Sequence, residues 1–162
     1  MSVTDDYLAN NTPLAQGFSG QLPMPPANHI AVVALHGRQA QRLRDARAER
    51  GRGARHPQRG RVVTDDAIRS LAISQRLLGT REIMLIHHTD CGMLTFTDDD
   101  FKASIQADTG IKPPWAAEAF GDLDADVRQS IARIKASPLV PHTGAVRGFV
   151  FDVATGKLNE VS

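Results

Sequence analysis

The run Glu82-Ile83-Met84-Leu85-Ile86-His87-His88 constrains the fold more than any other stretch, because it passes directly into Thr89-Asp90-Cys91-Gly92. Apolar runs of about four to eight residues bounded by polar signals read as buried strands. A strand that stops in His-x-x-Cys carries an imidazole and a thiol to its carboxyl end, where open α/β sheets place ligands. Imidazole nitrogen and thiolate sulfur are also the donors that zinc prefers. Spacing alone leaves two readings open: a metal site, or a satisfied histidine beside a buried free thiol. Structural zinc takes four donors, and this motif offers two.

The rest of the chain supplies the partners that such a strand needs. His29-Ile30-Ala31-Val32-Val33-Ala34-Leu35 is continuously apolar and predicts a central strand buried on both faces. Thr64-Asp65-Asp66 predicts a helix from Asp65 to Leu78, with Thr64 as N-cap, Ile68, Leu71, Ala72, Gln75 and Leu78 at helical spacing, and Gly79 as stop. Thr97-Asp98-Asp99-Asp100 opens another helix ending near Gly110, with Phe101 and Ile105 expected inward. A third is predicted from Leu123 to Ala136 on Val127, Ile131 and Ile134, stopped by Pro138 and Pro141. Val146 to Val153 reads as a strand, Ala154-Thr155-Gly156-Lys157 as a turn, and Leu158 to Val161 as an antiparallel edge. This alternation predicts an α/β fold, a mainly parallel sheet flanked by helices, in one domain over residues 1–162. Residues 1–28, with their glycines and prolines, read as an extended arm after a short helix near Asp5 to Ala9.

Charge marks a break. Residues 36–61 hold nine of the 19 basic residues and two of the 18 acidic ones, in a chain of net charge +1, and all nine are arginine. The half from Arg38 to Arg50 consists of good helix formers. The half from Gly51 to Gly60 is expected to form no regular element, which would leave the first strand exposed at its edge. One cysteine excludes an internal disulfide framework. No apolar run approaches the ~20 residues that span a bilayer. Met1 to Asn11 shows no secretory signal, so a reduced cytoplasmic setting is expected.

With these elements in place the chain resembles the β-class carbonic anhydrases, of the short bacterial type. The resemblance rests on the arm, the strand His29 to Ala34, Val62-Val63-Thr64-Asp65-Asp66, and Gly79-Thr80-Arg81-Glu82. His88-Thr89-Asp90-Cys91-Gly92 and Gly148-Phe149-Val150-Phe151-Asp152 with Thr155-Gly156 complete it. It implies a lyase that hydrates carbon dioxide to bicarbonate (a carbonate dehydratase), with zinc held by one histidine and two cysteines, in a homodimer or larger homo-oligomer. It places His88 and Cys91 as metal ligands. The zinc lowers the pKa of its bound water from about 15.7 to about 7, which yields hydroxide at neutral pH.

Between Leu35 and Arg61 the resemblance fails. The family's Cys-x-Asp-x-Arg supplies the remaining cysteine ligand and an Asp–Arg pair at the catalytic site. Here those places are Leu35, Gly37 and Gln39, and the family's Arg-Asn-Ala-Gly is also missing. A displaced reading frame accounts for both losses. If Leu35 to Ala40 is encoded CTG CAT GGA CGC CAG GCT, reading from the second base gives Cys-Met-Asp-Ala-Arg. If His56 to Arg61 is CAT CCG CAA CGC GGG CGC, the same shift gives Ile-Arg-Asn-Ala-Gly. Arginine without lysine is what GC-rich DNA yields out of frame.

Three readings follow for the chain as written. It is a carbonic anhydrase whose sequence is frameshifted, a genuine inactive relative with a weak or absent metal site, or an arginine-rich nucleic-acid binder. The arginine segment lacks the aromatic residues that stack on bases, and the remainder is acidic, which argues against the third. Retained catalytic residues are none, and little or no activity is expected. His36, beside the lost cysteine, is a weak substitute because adjacent strand residues point to opposite faces. His87 should pack away from His88 for the same reason. Thr89 and Asp90 are candidates for hydrogen bonds near the site or for a turn.

Overall fold

The computed structural model describes residues 28–35, 54–56 and 63–162, together with residues 9, 11, 13, 15 and 16. His36, Gly37, Gln39 and the helix expected over Arg38 to Arg50 lie outside the described residues. Five strands form one sheet: β1 (Ile30–Ala34), β2 (Ala54–His56), β3 (Glu82–His88), β4 (Val146–Phe151) and β5 (Leu158–Val161). Their order is β2-β1-β3-β4-β5, with only β4 and β5 antiparallel. Among the described residues three helices accompany them: α1 (Asp65–Leu77), α2 (Asp98–Thr109) and α3 (Leu123–Ala136).

Helices α1 and α3 share one face of the sheet. Ala31, Val33, Ile83, Leu85 and Val146 pack there with Ala67, Ile68 and Leu71 of α1 and Ile134 of α3. Val127 and Val150 continue that core toward Val161. Strand residues alternate between faces, and Ile30, Val32 and Ala34 of β1 are only half-buried. The expectation that this strand is buried on both faces is therefore corrected: among the described residues, both packed helices lie on the same side. The glycine-rich half of the arginine segment is a second correction. Ala54–His56 pairs in parallel with β1, in the register Ala31↔Ala54 and Val33↔His56. Strand β1 supplies a ladder of unpaired amides and carbonyls, and three residues suffice to pair with it whatever their propensity. That side of β1 is thus not bare.

The ends of the helices show which signals were read correctly. Thr97 accepts from the Asp100 amide (3.2 Å), and Gly110 closes α2 at φ +74°. Asp122 caps α3 through the Ala125 amide at 2.8 Å. Thr64 sits at the N-cap of α1 but makes no side-chain cap bond, which corrects that expectation. Its carbonyl accepts from the Ile68 amide (3.0 Å), and Asp65 and Asp66 meet the positive helix end instead. Strand β4 stops at Phe151, because Asp152 turns the chain by accepting from the Ala154 amide (2.8 Å) and the Thr155 hydroxyl (2.7 Å). In the arm, residues 9, 11, 13, 15 and 16 have helical backbone, whereas an extended arm was expected beyond Ala9.

Helix α2 departs most from expectation. None of its residues is buried, and Phe101, predicted inward, is exposed beside Phe96 and Trp115, with ring centroids 5.2 and 6.3 Å away. The helix is fastened at its first turn. The Asp98 carboxylate accepts from the amides of Ala117 and Ala119, both at 2.8 Å, which pins the loop between α2 and α3. The Ala119 amide is the chief cause that holds the Asp98 carboxyl below its ordinary value. A depressed folded-state pKa gives stability that is present above the unfolded value and lost as pH falls through the folded one. Asp98→Ala is therefore expected to open this loop by about 1–2 kcal/mol at neutral pH, roughly tenfold in amide exchange at Ala117 and Ala119. In strong acid the parent and the variant should converge; equal exchange in the two proteins at neutral pH would refute the clamp.

Candidate functional site

Strand β3 brings His88 to the carboxyl end of the sheet, between β1 and β4. The chain then turns sharply. Asp90 adopts φ +56°, a left-handed conformation that aspartate tolerates better than most residues. The turn leads to Cys91, which opens a short 3₁₀ turn over Gly92–Leu94. His88 and Cys91 are both buried, 7% and 4% exposed. The His88 Nδ1 bonds to the Thr89 carbonyl at 2.8 Å. A carbonyl can only accept, so Nδ1 carries the hydrogen and the lone pair lies on Nε2. That Nε2 is buried and makes no hydrogen bond of ordinary geometry.

The two groups nonetheless feel each other. The Cys91 thiol is the main cause that raises His88 above its ordinary pKa, against the opposing effect of burial. Burial is the largest influence on Cys91 and pushes it up, but the nearness of His88 and of the Met93 amide prevails and leaves it lowered. An acidified thiol beside a buried nitrogen lone pair is a donor pair suited to a borderline-soft cation.

Leu35 follows β1 directly, and its amide donates to the Ile86 carbonyl at 3.0 Å. It is 3% exposed. At the place where a third donor was expected, the fold thus holds a buried aliphatic side chain. Among the described residues no group of three or more His, Cys, Asp or Glu side chains could hold a metal ion. The donors that are present fit zinc at two places, and the third place does not fit.

His87 points to the helical side of the sheet, as strand alternation predicts. Its Nε2 lies 2.6 Å from Asp126 Oδ2, and both residues are buried. Its ring also packs on Phe120, 5.9 Å between centroids. Sequence reasoning missed Asp126, because an acidic residue in the first turn of a helix reads as a solvated dipole partner. The available signal was its place next to Val127 on the apolar side of α3. Thr89, left open between a site role and a turn role, has both. Its amide donates to the Phe151 carbonyl (3.0 Å), and its hydroxyl accepts from the Val153 amide (3.0 Å).

The arrangement is that of a mainly parallel α/β protein with His88 and Cys91 at the carboxyl end of a central strand. No protein-family model matches the chain. Over 162 residues, however, it is 60% identical to Beta-carbonic anhydrase 1 of Mycobacterium tuberculosis, and the match covers 100% of this chain and 99% of that one. The carbonic anhydrase of Streptococcus mutans superposes with a TM-score of 0.85 at 36% identity, covering 100% of this chain and 99% of that one. That of Glaciozyma antarctica gives 0.82 at 34% identity, with all of both chains covered. The chain belongs to the β-carbonic anhydrase family. Among its described residues no helix is long and apolar enough to cross a membrane.

Proposed function

We propose that this chain is built for the reversible hydration of carbon dioxide to bicarbonate, and that as written it performs the reaction poorly. Family membership over the whole length supports the reaction. The observation that carries the second half is local. His88 presents a buried Nε2 beside Cys91, while in this reading Leu35 stands at the position of the third donor. A catalytic zinc needs about three protein donors and an open position for water. In this reading His88 and Cys91 are the metal ligands, no catalytic residue of the Asp–Arg pair is retained, and the protein is a cytoplasmic homodimer or larger homo-oligomer. The nucleic-acid reading finds no support among the described residues.

If the ~10–16 kcal/mol of a four-donor zinc site is shared among its ligands, one donor is worth about 3 kcal/mol. Its loss weakens zinc on the order of a hundredfold. The test is zinc content after dialysis together with the rate of carbon dioxide hydration in stopped flow. The expected result is well under one zinc per chain and hydration near the uncatalysed rate. Full zinc retention with hydration at a rate typical of the family would overturn the proposal.

A further inference from the structure

We propose that Thr89 is a positioning residue for the His88 imidazole, fixing its tautomer and its direction. The proposal rests on the reading of His88 as a ligand only for its consequence; the geometry stands by itself. Three polar groups of Thr89 are engaged, each to a different element. Its amide donates to the Phe151 carbonyl (3.0 Å), which carries the β3–β4 pairing one residue beyond His88. Its hydroxyl accepts from the Val153 amide (3.0 Å), beyond the end of β4. Its carbonyl accepts from His88 Nδ1 (2.8 Å).

The first two bonds hold the backbone of Thr89, and the third transmits that hold to the ring. The peptide plane that carries this carbonyl lies between Thr89 and Asp90, and the left-handed φ of Asp90 (+56°) sets its tilt. With Nδ1 committed to the carbonyl, Nε2 of the neutral ring is left as the acceptor, and it is buried. Nitrogen ligands are oriented in this way wherever the second ring nitrogen has a fixed partner. Among side chains of this size the hydroxyl is the necessary part. Valine has the same shape but cannot accept from Val153, whereas serine can.

The test reads the ring nitrogens of His88 directly, by long-range ¹⁵N–¹H correlation in the metal-free chain at a pH where the ring is neutral. The parent is expected to show a single Nδ1–H tautomer. Thr89→Val should give a mixture of tautomers, and Thr89→Ser should restore the single one. Zinc affinity, measured by competition with a chelating dye, should fall about tenfold in the valine variant and recover with serine. An Nε2–H tautomer in the parent overturns the proposal even if the valine variant fails to fold. So does an unchanged tautomer in a folded Thr89→Val protein. A shift of tautomer with no change in zinc affinity would uphold the positioning and count against His88 as a ligand.

Discussion

Leu35→Cys, made together with Gly37→Asp and Gln39→Arg, is expected to convert the chain into one that retains a full equivalent of zinc through dialysis. Leu35 occupies a buried position at the end of β1, held by its amide to the Ile86 carbonyl, so a cysteine there enters an existing backbone. The new thiolate joins a nitrogen whose lone pair is already free and a thiol that is already acidified. By the sharing used above, the third donor adds about 3 kcal/mol, on the order of a hundredfold in zinc affinity. Hydration of carbon dioxide should rise with it, and more steeply, because a site with two protein donors leaves the metal water poorly placed. Leu35→Cys alone should restore retention of zinc but only part of the rate, since the Asp–Arg pair is still absent. Leu35→Ser, which fits the space without a soft donor, should do neither. If zinc binds the triple variant no better than the parent, the third donor of this fold is not at Leu35. Residues 36–61 are also where the frame-displacement reading applies.

Gly148→Ala is expected to destabilise the protein by about 3 kcal/mol, the upper end for an added methyl group in a packed core. A Cβ at Gly148 would overlap Val127 Cγ1 and lie 2.8 Å from Ile131 Cδ1. Val127 is fully buried, so it has no solvent to retreat into. The glycine is what lets α3 approach β4 closely, and α3 carries Asp126 to His87. In a chain of this size a 3 kcal/mol loss is roughly 6–12 °C in Tm. Val127→Ala makes room for the new methyl. The double variant should therefore be markedly more stable than the sum of the single losses predicts. Strict additivity of the two substitutions in thermal melts would show that the helix simply moves away.

How much of this could be read beforehand depended on whether the signal was local. Helix α3 was legible at about Leu123 to Ala136, because the apolar spacing and the following prolines act within one segment. Likewise the antiparallel β5 was announced by its turn, with Gly156 at φ +73°. The placement of His88 at the carboxyl end of a parallel strand followed from an apolar run that stops. Phe101 went wrong because a helical spacing of apolar residues says which residues share a face, not whether anything covers that face. Ala54–His56 went wrong for the opposite reason: its pairing is dictated by β1, a distant partner, and not by its own residues. That His88 and Cys91 lie together at the end of β3 was legible from their spacing, whereas the bonds of Asp126 and Thr89 are made with His87 and with the end of β4. No pattern within the motif encodes those.

The way Thr89 is tied also bears on how this protein could change. The half of the site on β3 is held by β4 and by its own turn, through Phe151, Val153 and the left-handed Asp90. Leu35 adds a main-chain bond, from its amide to the Ile86 carbonyl of β3, that does not involve its side chain. The supports of His88 and Cys91 therefore do not depend on which side chain stands at position 35, like a socket that accepts different plugs. Selection could exchange that side chain in either direction without rebuilding the half of the site on β3.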